Sequence, residues 1–230
     1  MSEPAKARRF SKTMALIVYI VVFYGLWTAW EFLIKDMISA SVNNEYVSQF
    51  IKSGVIKNLF WVLPAALLVK RFDGEVYVGI REMFSTKVKV WRYLPILLLF
   101  TVYLLGGVIL QKGRITVSET FKLSDIIIVL FVGITEEMVF RGWLLNALIG
   151  KNSNNSRKWF AVTANSVMFL LIHFPVWIHS GVFIEEFRSF GFLSILILSG
   201  IFGWTFIKSR NIWIPVALHM YWDLLMFVFF

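Results

Sequence analysis

The chain has 230 residues, of which 58% are hydrophobic and 16% charged. Soluble domains have roughly 45–50% apolar and about 25% charged residues, so this composition predicts a membrane protein. The net charge of +9 would suit nucleic acid if the basic residues were clustered on a polar surface. They lie in short connections between apolar runs instead, so we expect no nucleic-acid partner. The sequence has no cysteine, which excludes disulfides and thiolate metal sites.

Seven apolar stretches predict membrane-spanning helices, because a span needs about 20 mainly apolar residues. The second contains Pro64. Pro175 predicts that the fifth helix either ends or kinks, because proline removes a backbone donor and restrains the residue before it. We therefore expect an all-α polytopic membrane helix bundle that forms a single integral membrane domain over residues 1–230. The predicted spans are 13–34, about 50–69, 93–110, 123–149, a fifth that begins near 159, 192–207 and 212–230.

Basic residues indicate the orientation of these spans. In a seven-span arrangement four basic connections fall on one side, and the positive-inside rule makes that side cytoplasmic. We expect a cytoplasmic N-terminus, a retained first span and a bacterial plasma membrane, although Lys112, Arg114 and Lys122 run against the trend. The four connections contain Lys6, Arg8, Arg9 and Lys12; Lys70, Arg71, Arg81, Lys87, Lys89 and Arg92; Lys151, Arg157 and Lys158; and Lys208 and Arg210.

Few ionisable side chains are predicted inside the spans. Each costs about 2.5–3.5 kcal/mol at the centre of a membrane helix on insertion scales. A chain keeps such groups only if they are paired, face a cavity or take part in chemistry. The groups are Glu31 near a helix end, Glu136, Glu137, Arg141, His173, His219 and Asp223.

The stretch "EEMVFRG" at 136–142 combines three of these groups in the fourth span. Glu137 and Arg141 are four residues apart, so on a helix they share a face and can form an ion pair. Glu136 is rotated by about 100° from Glu137 and can therefore point elsewhere. Gly142 is predicted to let another backbone approach closely. Taken alone, the Glu–Arg pair could also be only a packing contact.

The same spacing of four recurs in the fifth and seventh spans. His219 and Asp223 share one face in "HMYWD", and Phe169 and His173 share one face in "FLLIH". A structural interpretation remains open for each: Asp223 could fix the tautomer of the His219 ring, and His173 could be an interfacial residue. Three such groups in one small bundle nevertheless favour a shared site.

The ordered set of three motifs resembles the CAAX-protease and bacteriocin-processing family of intramembrane endopeptidases, which includes the type II CAAX prenyl endopeptidases. The motifs are "EEMVFR" at 136–141, "FLLIH" at 169–173 and "HMYWD" at 219–223. They lie in a motif-bearing core, 123–230, whereas the spans of 1–122 carry no motif. The resemblance implies hydrolysis of a peptide bond within the membrane, with a peptide or membrane-protein substrate and the lipid bilayer as partners.

The resemblance also implies a role for each candidate catalytic residue. Glu136 matches the glutamate that activates water, and Glu137 with Arg141 matches the pair that supports it. His173 matches the histidine that holds the water. His219 and Asp223 match the final histidine and the Asn or Asp that follows it.

The resemblance leaves two accounts of the mechanism open. In one, glutamate-activated water attacks and the last two residues stabilise the oxyanion; this role suits asparagine better than Asp223, because an ionised carboxylate cannot donate a hydrogen bond. In the other, His173, His219 and Asp223 are ligands of Zn²⁺, which activates the water. The aspartate at 223 favours the metal account.

Two other functions compete with proteolysis. A bacteriocin immunity or peptide-binding protein could use the same buried network without hydrolysis. A small ion or proton-coupled transporter could also use intramembrane carboxylates and histidines, but the sequence shows no inverted repeat and no paired broken helices.

Overall fold

The structure is a computed structural model and describes residues 11–230. Over this range the chain forms nine helices and no strand, which confirms the prediction of an all-α bundle. The helices are α1 (Lys12–Ser41), α2 (Glu45–Arg71), α3 (Ile80–Ser85), α4 (Val90–Lys112), α5 (125–149), α6 (Asn155–His179), α7 (Phe183–Arg188), α8 (Gly191–Ser209) and α9 (Trp213–Phe229).

Each predicted span coincides with one of the long helices. Within the described range five of them, α1, α2, α4, α6 and α8, are long and apolar enough to cross a membrane. The helix α9 is apolar but has only 17 residues, and α5 carries the charged groups of the first motif. The protein is thus an integral membrane protein with five candidate spans and two further helices, α5 and α9, at the other two predicted spans, and the motifs occupy α5, α6 and α9.

Proline interrupts α6 without ending it. In α6 the regular helix Asn155–Leu171 stops at Ile172 and a second segment, His173–His179, continues it. Pro175 accounts for this break, because it cannot donate to the carbonyl of residue 171. Of the two outcomes predicted at Pro175, the chain therefore shows the kink, and the kink places His173 at the junction.

The helix α5 occupies the centre of the bundle. It is α-helical over Asp125–Glu137 and changes to a wider π-helical segment at Met138–Leu145, a local form that is frequent at functional sites. Every residue from Thr135 to Leu145 is buried. The helix packs against α2, α6, α8 and α9, so side chains from four helices can reach the first motif.

A glycine lets α5 and α9 approach closely, but it is not the predicted one. A Cβ atom on Gly133 would lie 2.7 Å from Cγ of Met220 on α9. At Gly142 the nearest atoms to such a Cβ belong to Met138 and Glu137 of the same helix. The prediction for Gly142 is therefore wrong. Gly133 lies one turn before Glu137 and brings that side chain up to α9.

The two ends of the bundle have different contacts. At one end the segment 72–82 connects three helices: Lys12 donates to the carbonyl of Glu75, Asn146 to the carbonyl of Val78, and Arg210 binds Glu82. This end gathers the basic connections within the described residues, as the sequence predicts; Lys6, Arg8 and Arg9 lie outside them. At the other end Lys122 pairs with Glu45. The cytoplasmic orientation stays a prediction.

Candidate active site

A completely buried ion pair supports the site. Arg141 donates through Nη1 to Oε1 of Glu137 at 2.9 Å, as the spacing of four predicts. Its Nη2 donates to the carbonyl of Ser199 at 3.0 Å and to the hydroxyl at 2.8 Å. The guanidinium carbon lies 4.7 Å from the ring centre of Phe169 and 5.4 Å from that of Phe202, a cation–π geometry. Arg141 is thereby fixed between α5, α6 and α8.

The ring of His219 lies between two neighbouring carboxylates. Its Nδ1 is 2.8 Å from Oε1 of Glu137, and its Nε2 is 3.8 Å from Oε2 of Glu136 and 3.5 Å from Oδ2 of Asp223. Glu136 projects from α5 at a different angle from Glu137, as the sequence allows, and both carboxylates reach the same imidazole. Because the carboxylate of Glu137 accepts a hydrogen bond, Nδ1 carries the proton. Glu137, rather than Asp223, sets the orientation of the ring.

His173 faces the same aromatic side chain as His219. The ring centre of Phe169 is 5.2 Å from that of His173 and 5.9 Å from that of His219. Nδ1 of His173 donates to the carbonyl of Phe169 at 2.9 Å, which leaves Nε2 as the acceptor nitrogen. The kink in α6 thus brings the second motif to the other two.

Access from outside differs sharply within the cluster. The side chains of Glu137 and Arg141 have no exposed surface, whereas those of Glu136 and Asp223 are 11% and 20% exposed. Glu136 makes no hydrogen bond to another side chain among residues 11–230. The carboxylate of Glu136 therefore faces the accessible side of the cluster, and the carboxylate of Glu137 faces the interior.

Two of the predicted zinc ligands, His173 and His219, have a hydrogen-bond partner at one ring nitrogen. Across the described part of the chain no three His, Asp or Glu side chains are grouped so that they could hold a metal ion. Nδ1 of His219 is already bound to Glu137, and Nδ1 of His173 to a backbone carbonyl. The zinc site stays a prediction that metal analysis can test.

Two polar residues of the cluster's surroundings were missed from the sequence. Ser199 completes the binding of Arg141 but is a small residue in an apolar run, which carries no signal of its own. Lys57 lies inside the predicted second span and belonged among the ionisable groups there. Glu31, which was identified, is buried and pairs with Lys35.

The helices and the buried cluster define a class: a polytopic membrane protein whose acids and imidazoles from distant parts of the chain meet inside the bundle. Residues 119–225 match the family model of the Rce1-like type II CAAX prenyl endopeptidases. This match confirms the resemblance drawn from the three motifs and contains all of the candidate residues. Residues 119–225 are therefore similar to a family of intramembrane endopeptidases. No curated protein and no solved structure matches the chain.

Proposed function

We propose that the protein hydrolyses a peptide bond inside the membrane with water that Glu136 activates. The observation that supports this most directly is that two adjacent carboxylates differ in their hydrogen bonds and exposure. Glu137 is bound to both Arg141 and His219, whereas Glu136 is free of such bonds and partly accessible. A general base needs a free carboxylate within reach of a water molecule, and Glu136 meets that requirement.

In the proposed reaction Glu136 removes a proton from water, and the resulting hydroxide attacks the carbonyl carbon of the substrate. Nε2 of His173 accepts the second hydrogen of that water and so orients it. The tetrahedral intermediate carries its negative charge on the former carbonyl oxygen. When it collapses, the peptide C–N bond breaks and Glu136 returns its proton to the leaving nitrogen. The products are a carboxylic acid and an amine, and the acid then passes its proton to the amine to give a carboxylate and an ammonium group.

The developing oxyanion needs a hydrogen-bond donor. His219 can supply one through Nε2 when the ring is an imidazolium, with Nδ1 held by Glu137. Asp223 can donate only in its protonated form. Replacing Asp223 with asparagine restores an NH₂ donor of the same size. We expect Asp223→Asn to retain cleavage if the residue faces the oxyanion, and to lose cleavage if it is a metal ligand.

The glutamate is tested with purified protein in liposomes and quenched fluorogenic peptides, with and without a farnesyl group on a cysteine. Glu136→Gln keeps the size of the side chain and removes the basicity. We expect it to lower cleavage at least about 100-fold, the usual contribution of a general base, with an unchanged thermal midpoint or a small rise.

The matched control is Glu185→Gln, which changes an exposed glutamate on α7 and should cleave as the parent does. Turnover by Glu136→Gln comparable with that of the control would refute the assignment. Metal analysis of the purified protein, together with cleavage after chelation, separates the two accounts of the mechanism. A stoichiometric metal and loss of activity on chelation would establish the zinc account.

We also propose that the basic end of the bundle faces the cytoplasm of a bacterial cell. The absence of native cysteine makes a labelling test simple. Asn152→Cys and Glu119→Cys place single thiols on exposed residues at the two ends. A maleimide that cannot cross membranes should label position 119 in intact cells and position 152 only after lysis; the reverse pattern would invert the orientation.

A further inference from the structure

A small cavity lies between α6 and α8 at the basic end of the bundle. Its volume is about 160 Å³, and both helices that form it are candidate membrane spans. Residues near the start of α6 (155–162) and near the end of α8 (204–208) line it. Pockets for drug-sized ligands measure about 300–1,000 Å³. The cavity is therefore too small for a whole ligand of that size and has room for one end of a larger molecule.

Two lysines of the cavity have no acidic partner. Among residues 11–230 neither Lys158 nor Lys208 forms an ion pair, and no aspartate or glutamate lines the cavity. The ammonium nitrogen of Lys158 lies 5.2 Å from the ring centre of Tyr77, and the face of such a ring attracts a cation. The hydroxyl of Tyr77 donates to the carbonyl of Ile207 on α8. Tyr77 thus holds Lys158 beside α8, and the cavity keeps positive charge that no carboxylate neutralises.

A larger cleft at the same end of the bundle has a different charge balance. It measures about 670 Å³ and contains two acidic residues, Asp73 and Glu82, beside its basic ones. Glu82 is bound to Arg210, and Oδ1 of Asp73 accepts a hydrogen bond from the backbone N–H of Ile80. A carboxylate repels an anion at short range. Of the two spaces, the small cavity is therefore the better site for an anionic group.

Two tryptophans place the cavity at the level of lipid headgroups. Trp159 and Trp204 line it, and 63% and 40% of their surface stays exposed. Trp159 lies near the first residue of α6 and Trp204 near the last residue of α8. Tryptophan is enriched where the membrane meets water, because its ring is amphipathic. On two candidate spans, these exposed rings indicate that lipid adjoins the cavity.

Close packing of α6 and α8 limits how deep the cavity is. A Cβ atom on Gly203 would lie 3.6 Å from the methyl groups of Val162. Further from the basic end, a Cβ atom on Gly200 would lie 4.0 Å from Oγ of Ser166. The two helices are thus in van der Waals contact beyond the cavity. A phosphate group can enter, whereas acyl chains must lie along the outer surface of the bundle.

We propose that the cavity between α6 and α8 binds the phosphate of an anionic phospholipid, with Lys158 and Lys208 as its counter-charges and Trp159 and Trp204 against the lipid. Basic pockets between membrane helices bind anionic headgroups in this way. A zwitterionic lipid gains less, because it carries its own cation beside the phosphate. The inference is independent of the proposed proteolysis, since His173 lies toward the other end of α6.

The binding test titrates the delipidated full chain in neutral detergent with phosphatidylglycerol or phosphatidylcholine of the same acyl chains, and native mass spectrometry counts the bound lipid. The test variant is Lys158→Gln/Lys208→Gln. The matched control is Lys87→Gln/Lys89→Gln, which removes the same charge from exposed lysines outside the cavity.

Each lysine near an anionic lipid contributes about fivefold in affinity. We expect the test variant to bind phosphatidylglycerol about 30-fold more weakly than the parent, and no better than it binds phosphatidylcholine. The control should change by less than about threefold, which is below the contribution of one lysine. A loss that small in the test variant, or an equal loss in the control, overturns the proposal.

A second measurement locates the lipid while the lysines stay in place. Bromine on an acyl chain quenches tryptophan fluorescence on contact. In phosphatidylcholine vesicles we expect brominated phosphatidylglycerol to quench more than brominated phosphatidylcholine. Trp159→Phe/Trp204→Phe should lose this excess. Trp91→Phe/Trp213→Phe, which removes rings that are 64% and 48% exposed outside the cavity, should keep it. Equal loss in both variants overturns the proposal. Removal of the excess by inorganic phosphate at matched ionic strength also overturns it, because the site would then hold a soluble anion.

Discussion

Two arginine–glutamate pairs in this protein have similar geometry and opposite surroundings. Arg141 and Glu137 meet at 2.9 Å with both side chains completely buried. Arg210 and Glu82 meet at 2.6 Å with 39% and 42% of the side chains exposed. The first pair crosses the centre of the bundle, and the second joins α8 to the short helix α3. The comparison shows that burial, rather than contact distance, decides how much an ion pair contributes to the free energy of unfolding.

Burial makes each member of the inner pair dependent on the other. Removing one partner of a buried pair costs about 3–5 kcal/mol, because a charge is left without compensation, whereas exposed pairs contribute about 0.2–1 kcal/mol. The inner pair is also bound to Ser199 and His219, so its loss should also disturb the position of the His219 ring. The outer pair fixes one end of the bundle and touches no candidate catalytic residue.

The largest effect is expected from Arg141→Met, which leaves Glu137 buried without its cation. We expect unfolding to become easier by about 3–5 kcal/mol, together with loss of cleavage. Thermal or denaturant unfolding in detergent measures the first effect and the fluorogenic peptides measure the second. The double variant Arg141→Met/Glu137→Gln should be more stable than Arg141→Met alone; if it is less stable, burial does not explain the cost.

A smaller effect is expected at the close approach of α5 and α9. Gly133→Val would place a branched side chain where Met220 lies, and overpacking of this kind costs about 1–3 kcal/mol. It should also lower cleavage by moving Glu137 away from His219. Gly25→Val is the control, because no atom lies within 4 Å of a Cβ at that position. Equal losses in the two variants would show that helix propensity, not the contact, is responsible.

Ser199→Ala should reduce the stability of the fold by less than Gly133→Val does. Arg141 keeps the carbonyl of Ser199 as an acceptor, so one hydrogen bond of two is lost. Interhelical hydrogen bonds in membrane proteins contribute about 0.6 kcal/mol on average, and we expect a loss of that order, measured by the same unfolding assay. Thr205→Ala is a comparable control, since its hydroxyl binds only a carbonyl of its own helix. A loss as large as that of Arg141→Met would mean that the hydroxyl is essential to the pair.

The smallest effect is expected at the exposed pair. The hydrogen bond from Arg210 lowers the pKa of Glu82 below its ordinary value of 4.5, and the same bond raises the pKa of Arg210. The pair's contribution, about 0.2–1 kcal/mol, is thus present above pH 4.5 and is lost as the pH falls through the lowered pKa of Glu82. Glu82→Gln should lack this part of the pH dependence. The measurement is the free energy of unfolding of parent and variant as a function of pH, and identical curves would contradict the prediction.

The local part of the site could be predicted from the sequence, because it depends on helix periodicity. The spacing of four correctly predicted that Glu137 lies beside Arg141. At Pro175 the sequence predicted that the helix either ends or kinks, and the structure shows the kink. The convergence of His173 and His219 on Phe169 depended on where helices begin and bend. Spacing within one helix cannot show that.

The contacts between helices were beyond sequence reasoning. Glu136 and Glu137 project at different angles from α5, yet α9 lies so that both reach His219. The close approach of α5 and α9 occurs at Gly133 and not at Gly142. It depends on which glycine faces the other helix, and Gly133 is the one that faces Met220. Lys57 could have been identified, since a lysine within an apolar span is itself a signal. Ser199 could not.

The position of Arg141 between Phe169 and Phe202 has a consequence for the bilayer itself. The side chain has no exposed surface, and its charge is matched by that of Glu137. With aromatic rings on both sides of the guanidinium, water that reaches Glu136 is expected to stop at this layer, so no continuous file of water should carry protons across the bundle through it.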